Sequence, residues 1–336
     1  MANRIGKYTI KMRNKPSIKG FAAVAGKKEA EGPLGSKFDI TFDDTSLGET
    51  SWEKAESKLQ SEAVTKALRK AEISSADVDY IFAGDLLNQC ISSTFALRSL
   101  GVPFLGQYGA CSTMAQTLAL ASIIVEAEIA RNCIAVTSSH FCAAERQFRF
   151  PLEYGGQRTP TAQWTVTGSG CAIVGEHKGD LSIAHVTIGR IIDLGIKDAN
   201  NMGAAMAPAA ADTLSNFFKD TSSSPSDYDL IITGDLGQVG GDLLKQLLKK
   251  DGIILDKNYN DCGMMIYNSK EQDTHAGGSG CGCSASVLCS DILTRMKKHE
   301  LNNIIFMATG ALMSPTSSQQ GESIPGIAHL INIKNM

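Results

Sequence analysis

DVDYIFAGDL at residues 77–86 recurs as DYDLIITGDL at residues 227–236, and this repeated stretch decides the fold. Each copy is a short apolar run that ends in Gly-Asp-Leu, a pattern typical of a buried strand that leads into a loop. A shift of 150 positions separates the two copies. The sequence therefore predicts a strand-containing unit that is present twice.

Two further matches follow the repeated strand in the same order. Residues 110–112 (Ala-Cys-Ser) are echoed by residues 282–284 (Gly-Cys-Ser), and each triplet opens an apolar helical pattern. The apolar run at residues 132–138 is echoed at residues 303–309. Three matches in one order indicate an internal duplication. Because short apolar strands alternate with helical stretches, we predict an α/β fold with parallel sheets covered by helices.

A polar break at residues 176–180 marks the predicted boundary between the two halves. We therefore expect an N-terminal half of residues 1–179 and a C-terminal half of residues 180–336. A pseudo-two-fold axis would bring the strand ends and the helix N-termini of both halves to one cleft. At the strand ends, Asp85 and Asp235 are expected to cap the loops that follow them, and a facing carboxylate pair is the alternative.

The composition is that of a globular protein. Of the 336 residues, 43% are apolar and 20% are charged, and the net charge is -3, so nothing global indicates a nucleic acid partner. The longest uncharged stretch, residues 99–125, is interrupted by proline and glycine, and the N-terminus lacks an apolar core of signal-peptide length. Nine cysteines, mostly in apolar runs, indicate reduced thiols in the cytoplasm. Cys281 and Cys283 have no second pair beside them, so we predict no metal site.

Cys111, in the N-terminal half, is the leading candidate for chemistry. It directly precedes the apolar helical pattern of residues 114–129. A thiol at a helix N-terminus lies beside unpaired backbone N–H groups, and the positive end of the helix dipole lowers its pKa and favours a bound anion. Cys111 is therefore a candidate nucleophile or anion-site residue. The alternative is a small buried hydrophobe, which is the common role of a free cysteine.

Longer motifs carry a family resemblance. They lie at residues 31–35, 83–89, 138–140, 144–149, 153–157, 165–170 and 206–213. The duplicated unit, together with the sequence GACS at residues 109–112 and the glycine-rich run at residues 278–284, resembles the thiolase fold of the type III ketoacyl synthases. The longer motifs resemble, more narrowly, the stage V sporulation protein AD family, and this likeness extends over residues 31–329.

This resemblance implies a five-layer α-β-α-β-α arrangement of two βαβ halves and a role in endospore formation. It implies that the protein binds dipicolinic acid, either free or as the calcium chelate, for uptake from the mother cell into the forespore. It also implies a homodimer that works with other SpoVA membrane proteins and needs no cofactor. Such a protein would be made in the forespore cytoplasm and would associate peripherally with the spore inner membrane.

The sequence also departs from an active synthase. Type III ketoacyl synthases use a cysteine, a histidine and an asparagine, and the last two come from the second half. Cys111 matches the cysteine, but alignment of the strand ends puts the histidine position on Gly234 or Asp235 and the asparagine position near Cys281. An aspartate beside the thiol raises the thiol pKa and repels an oxyanion. We therefore predict a protein without catalytic activity, and the alternative is an acyltransferase that is acylated on Cys111.

The predicted ligand site follows from the chemistry of dipicolinate, a flat pyridine with two carboxylates. Its receptor needs cationic side chains, N–H donors and an apolar slot. His140 follows a predicted strand at the carboxyl edge of the sheet, and Arg146 and Arg149 come soon after it. The predicted site comprises Cys111, Ser112, His140, Arg146, Arg149, Asp235 and Cys281. Alternatively, the arginines pair with Glu145 and Glu153 on the surface or at a dimer interface, and His140 is a hydrogen-bonded core residue.

Overall fold

The computed structural model describes residues 3–148, 158–176 and 179–336. The elements before residue 180 are β1 (Asn3–Ile5), β2 (Thr9–Lys11), β3 (Ser17–Ala25), α1 (Lys27–Ala30), β4 (Ile40–Thr41), α2 (Trp52–Lys70), β5 (Tyr80–Gly84), α3 (Ile91–Leu97), β6 (Phe104–Gly106), α4 (Thr113–Glu126), β7 (Asn132–Ser139), α5 (Phe141–Phe148), β8 (Trp164–Thr165) and β9 (Gly168–Gly175). Those after it are β10 (Leu181–Thr187), α6 (Met202–Thr221), β11 (Leu230–Thr233), α7 (Gly237–Lys250), β12 (Tyr259–Asp261), α8 (Cys262–Met265), β13 (Gly278–Ser279), α9 (Cys281–Val287), a π-helical turn (Leu288–Ile292), α10 (Leu293–Lys297), β14 (Asn303–Ala311), α11 (Pro315–Gln319) and β15 (Gly326–Asn335).

Two sets of five strands repeat one order. The first set runs β6-β5-β7-β9-β3 and the second runs β12-β11-β14-β15-β10. In each set the first three strands are parallel and the last two join the set by antiparallel pairing. The sets meet where β10 pairs with β3, through Leu181 opposite Ile18 and Ser182 opposite Ser17. This order confirms the predicted duplicated α/β fold, whereas the division at residues 179–180 stays a prediction.

The sequence repeat is preserved in the hydrogen bonds at the start of each central strand. The Asp79 carboxylate accepts from the backbone N–H groups of residues 131–132 at 2.7 and 3.1 Å. The Asp229 carboxylate accepts from those of residues 302–303 at 2.7 and 2.9 Å. In each half, the repeated aspartate therefore ties its own strand to the next parallel strand, which explains why both copies of the motif carry it.

The helices complete the five predicted layers. On one outer side α2 packs against β3, β7 and β9, and on the other side α6 packs against β14 and β15. Between the strand sets, α4 contacts both its own strands and β14 and β15, while α9 contacts β7 and β9. Helix α4 can lie in the middle because it carries no charge before its last residue, Glu126, so it can be buried on all sides.

Glycines let the central layer approach the strands closely. A Cβ atom at Gly170 of β9 would lie 2.2 Å from the carbonyl oxygen of Ala285 in α9. A Cβ atom at Gly310 of β14 would lie 2.3 Å from the carbonyl oxygen of Gly109, just before Cys111. Both contacts are to backbone atoms, which cannot rotate away, so only glycine fits at these positions.

None of the helices in the described residues combines the length and the apolar character that crossing a membrane would require.

Candidate functional site

A narrow cleft opens between the two strand sets at the N-terminal ends of α4 and α9. It encloses about 470 Å³ including its mouth, and it is lined by Leu86, Tyr108, Ala110, Cys111, Thr165, Met202, Ser279, Ala311 and Met313. These residues come from both sequence halves, as the predicted convergence of helix N-termini requires. In the described part of the chain, no group of three or more His, Cys, Asp or Glu side chains could hold a metal ion.

Cys111 lies in the wall of this cleft and is buried, with 6% of its surface exposed. Ala110 before it has a left-handed backbone (φ +50°), which turns the chain sharply into Ser112 and the start of α4. The Cys111 Sγ lies 3.8 Å from the Ser279 Oγ. Burial raises the pKa of the Cys111 thiol well above its usual value, and the negative charge of Asp235 raises it further. These two effects outweigh the lowering that the helix N-terminus alone predicts.

Asp235 is the polar centre of the site. Its buried carboxylate accepts hydrogen bonds from the Ser279 Oγ at 3.0 Å, the Gly280 N–H at 3.1 Å and the Thr309 Oγ1 at 2.8 Å, and the Cys111 thiol is a further donor. Burial raises the pKa of Asp235 above its usual value, although these hydrogen bonds oppose the rise. The carboxylate thus occupies the anion position at the N-terminal end of α9.

The expected symmetric capping by two aspartates holds in the first half only. Asp85 accepts from the backbone N–H groups of Leu87 at 2.9 Å and Ser93 at 2.8 Å, and so caps the loop and the start of α3. Asp235 instead accepts hydrogen bonds from Ser279, Gly280 and Thr309 beside Cys111, and it is fully buried. The loop after it is held by Asp261, which accepts from the N–H groups of residues 236–237 at 2.9 Å each. The neighbouring strand β12 therefore supplies the cap and leaves Asp235 available to the site.

Cys281 lies at the first position of α9 and is fully buried. Its Sγ donates to the Ser138 carbonyl oxygen at 3.0 Å, and it shares one small apolar cluster with Cys111 and Leu86. Burial raises the pKa of the Cys281 thiol well above its usual value. A neutral thiol that already donates to the backbone is a poor substitute for an amide donor that stabilises an oxyanion.

Neither His140 nor Arg146 is among the residues that line the cleft. His140 is buried, its Nε2 lies 2.7 Å from the Thr45 carbonyl oxygen, and burial lowers its pKa. Arg146 pairs with Glu53 on the surface and lies over the Trp52 ring, 5.6 Å from its centroid. Arg149 lies outside the described residues. The structure thus brings together Cys111, Ser112, Asp235 and Cys281 but places His140 and Arg146 elsewhere, with a partner for Arg146 other than the two glutamates expected.

Comparisons with known proteins identify the chain. The family profile of stage V sporulation protein AD matches residues 6–334. The stage V sporulation protein AD of Bacillus subtilis (strain 168) is 47% identical over 324 residues, which cover 96% of each chain. The chain belongs to the stage V sporulation protein AD family. Its role therefore lies in sporulation, as the sequence motifs indicated.

Solved structures with a similar fold are thiolases and ketoacyl synthases. The human mitochondrial 3-ketoacyl-CoA thiolase in complex with CoA matches with a TM-score of 0.61 at 12% identity, over 97% of this chain and 99% of that one. The 3-oxoacyl-[acyl-carrier-protein] synthase III of Aquifex aeolicus VF5 matches with a TM-score of 0.58 at 12% identity, over 95% and 99%. At these identities the likeness confirms the thiolase-like fold of this family member and nothing about its chemistry.

The sequence did not predict several residues of the site. Ser279, which lines the cleft, and Thr309, which donates to Asp235, both lie inside stretches that the sequence singles out, the run at 278–284 and the echoed strand at 303–309. Their positions beside the two strand ends were a usable signal. Met202 and Met313 form much of the apolar wall, but nothing in their local sequence distinguishes them from core methionines.

Thiol reactivity offers a direct test of the electrostatics around Cys111. With iodoacetamide near neutral pH, we expect the half-buried Cys142 to be alkylated before Cys111, because alkylation requires an accessible thiolate. Asp235→Asn removes the negative charge and should speed the alkylation of Cys111 by about tenfold, the effect of one pKa unit. Peptide mass spectrometry measures both rates, and Cys142 is the internal control. An unchanged rate at Cys111 in the variant would show that Asp235 does not control this thiol.

A second test uses Asp261, whose pKa burial raises to about 7, with the nearby Asp235 charge adding to the rise. The unfolded chain has an ordinary carboxyl pKa near 4, so the folded state holds the extra proton between about pH 4 and about pH 7. The stability that Asp261 contributes is full below this window and is lost as pH rises through it. We expect the stability advantage of the wild type over Asp261→Asn to fall by up to about 1.4 kcal/mol per pH unit between about pH 5 and 7.

Urea unfolding of the two proteins across that range measures this difference. The buried histidines titrate alike in both proteins and therefore cancel when the two are compared. A difference in stability that does not change with pH would mean that the Asp261 carboxyl is ionised throughout.

Proposed function

We propose that the protein is a non-catalytic receptor of endospore formation that binds dipicolinic acid, free or as its calcium chelate, for uptake into the forespore. One observation carries the non-catalytic part: the Asp235 carboxylate fills the anion position at the N-terminal end of α9, beside Cys111. An oxyanion formed on an acyl group at Cys111 would meet this negative charge rather than a donor. Membership of the stage V sporulation protein AD family supports the role in spore formation.

The cleft suits a flat aromatic ligand of low net charge. Leu86, Tyr108, Met202 and Met313 offer apolar walls for a ring, and Ser279 offers a hydroxyl group at the floor. No Lys, Arg or His is among the described residues that line the cleft. Dipicolinate carries two negative charges, whereas its calcium chelate is neutral, so burial beside Asp235 is less costly for the chelate. The lining therefore favours binding of the chelate over binding of the free dianion.

Calorimetric titration with dipicolinic acid, with and without calcium chloride, tests the proposal. Isophthalate serves as the analogue without the ring nitrogen, and acetyl-coenzyme A with mass spectrometry tests the acyltransferase alternative. We expect saturable binding of dipicolinate that calcium strengthens, with no mass gain on Cys111. Cys111→Ser should weaken this binding by at most about 1 to 2 kcal/mol, since a hydroxyl can replace the thiol. Absence of binding together with an acyl group on Cys111 would overturn the receptor and establish the enzyme.

We further propose that two copies pair through β6, at the end of the strand order. All three residues of this edge strand are exposed, and Phe104 (38%) and Leu105 (43%) are apolar. Phe95 on the adjacent α3 is 51% exposed. An uncharged apolar edge strand can extend its sheet only by pairing with another edge, and a two-fold axis would pair it with itself.

Leu105→Glu is therefore expected to convert a dimer into a monomer, because it would bring two like charges together across the axis. Light scattering after size-exclusion chromatography measures the mass. Leu194→Glu, at a site that is 67% exposed in the second half, is the matched control and should remain dimeric. A wild-type mass of 35.8 kDa would rule out the proposed dimer.

Association with SpoVA membrane proteins at the spore inner membrane also belongs to the proposal, and it rests on the family membership. The test is fractionation of spores. We expect the protein in the inner-membrane fraction and its release by alkaline or high-salt washing, as for a protein held by other proteins or by surface charge. Recovery in the core fraction before any wash would contradict a peripheral location.

A further inference from the structure

A second pocket lies on the side of the molecule, away from the Cys111 cleft. We call it the lateral pocket, and its lining includes Lys37, Met265, Ser290, Thr294, Arg295 and Lys298. It encloses about 1110 Å³ including its wide mouth. Its wall begins nine residues after Cys281 along the same helical segment, which at 1.5 Å per residue is about 13 Å from the cleft. The two pockets have no lining residue in common.

The helix that forms one wall of the lateral pocket is irregular at this point. Between α9 and α10 the chain forms the π-helical turn Leu288–Ile292, and the lateral pocket is lined by Ser290 and Asp291 of this turn. A π-helical turn interrupts the favourable α-helical hydrogen bonding, and such turns are frequently found at functional sites. Nothing in the Cys111 cleft requires the irregularity, because the first turn of α9 is regular there.

Charged side chains are held in place around this turn. The Asp291 side chain is 3% exposed, and it pairs with Lys37 at 2.5 Å and with Arg295 at 3.6 Å. The buried carboxylate thus positions two cations at the rim, each of which keeps more than a third of its surface exposed. Lys298 is exposed and forms no ion pair with any described residue. Arg295 also pairs with Glu300 at 3.5 Å, so the lining carries three cations against the two carboxylates of Asp291 and Glu300, although the whole protein has a net charge of -3.

Hydroxyl groups and an apolar floor complete the lateral pocket. The Ser290 Oγ is buried and makes no hydrogen bond within the described part of the chain. Thr294 lies one helical turn further along the same wall, and Leu34 and Met265 supply the apolar surface. A buried hydroxyl without a partner costs free energy unless a ligand supplies one. The lateral pocket therefore offers cations, hydroxyl donors and an apolar surface together.

We propose that the lateral pocket binds a phosphate group. Phosphate accepts charge-assisted hydrogen bonds from Lys and Arg and further hydrogen bonds from Ser and Thr hydroxyls, which is the set of donors present here. The carbon part of the ligand would contact Leu34 and Met265. A soluble phosphate monoester and the headgroup of an anionic phospholipid both present this chemistry. The proposal is independent of dipicolinate binding in the Cys111 cleft.

The experiment uses the full-length protein in two arms. In the first, glycerol 1-phosphate and inorganic phosphate are titrated calorimetrically. In the second, co-sedimentation is measured with vesicles of phosphatidylcholine alone and with vesicles that also contain phosphatidylglycerol. The test variant is Lys298→Glu, which reverses a charge that no described residue pairs with, so folding should be unaffected. The matched control is Lys250→Glu at the exposed end of α7.

We expect binding in one arm and a loss of about tenfold or more in Lys298→Glu, with no change in Lys250→Glu. Binding in the first arm identifies a soluble phosphate ester, and binding to the phosphatidylglycerol vesicles alone identifies a lipid headgroup. No binding in either arm overturns the proposal. Equal loss in the two variants also overturns it, because it would show only general attraction of charge. Dipicolinate titrations of the same variants should be unchanged and keep the two sites distinguishable.

Discussion

Asp235→Ala is expected to lower the free energy of unfolding by about 3 kcal/mol, because it leaves buried donors without an acceptor. The Ser279 and Thr309 hydroxyls can rotate toward other acceptors, but the Gly280 N–H is fixed by the start of α9. Removing the carboxylate also removes the free-energy cost of burying it. The net loss of stability is therefore smaller than the free energy of three hydrogen bonds to a charged group. Urea denaturation measures the change.

Asp242→Ala is the control for this prediction, because Asp242 is exposed on α7 and its change should stay within about 0.5 kcal/mol. Asp235→Asn keeps the shape and one acceptor and should lie between the two. If Asp235→Ala were as stable as the wild type, the carboxylate could not be the acceptor for these donors, and the argument from Asp235 for a receptor without catalytic activity would fail with it.

Gly310→Ala is expected to destabilise the protein by about 3 kcal/mol or more and to abolish ligand binding in the cleft. The added methyl group would lie 2.3 Å from the Gly109 carbonyl oxygen and 3.1 Å from the Ser112 nitrogen, so the loop that carries Cys111 must move away from β14. Thermal unfolding and the dipicolinate titration measure the two effects. Both should appear together, because one displacement causes them.

Gly179→Ala is the matched control. Its nearest neighbour would be the Ser17 hydroxyl at 3.3 Å, a side-chain atom that can rotate, so we expect a change below about 1 kcal/mol. Normal ligand binding by Gly310→Ala would contradict the tight fit of the Cys111 loop on the second strand set.

The sequence predicted what chain topology dictates. The repeat located the strands, and parallel strands place their carboxyl ends at one edge, so the meeting of Cys111, Asp235 and Cys281 could be expected from the sequence alone. The partners of Arg146 and His140 could not be expected. Glu53 and Thr45 lie nearly 100 positions earlier in the chain, and which side chain meets them depends on how α5 packs near α2.

Other features leave no local trace in a sequence. The π-helical turn at Leu288–Ile292 contains neither proline nor glycine, and its composition is that of an ordinary buried helix. The loop after Asp235 is capped by Asp261 of the neighbouring strand β12 and not by Asp235 itself. Spacing alone cannot decide between two such carboxylates, because both lie at the same edge of one sheet.

The central layer also makes the two halves of the chain depend on each other. Helix α4 is covered by the strands of both sets, so a unit of half this length would leave one side of its central helix bare. Such a unit could be soluble only if a second copy covered that side. In this chain β14 and β15 of the second strand set cover that side, so each half supplies the surface that the other needs to bury its central helix.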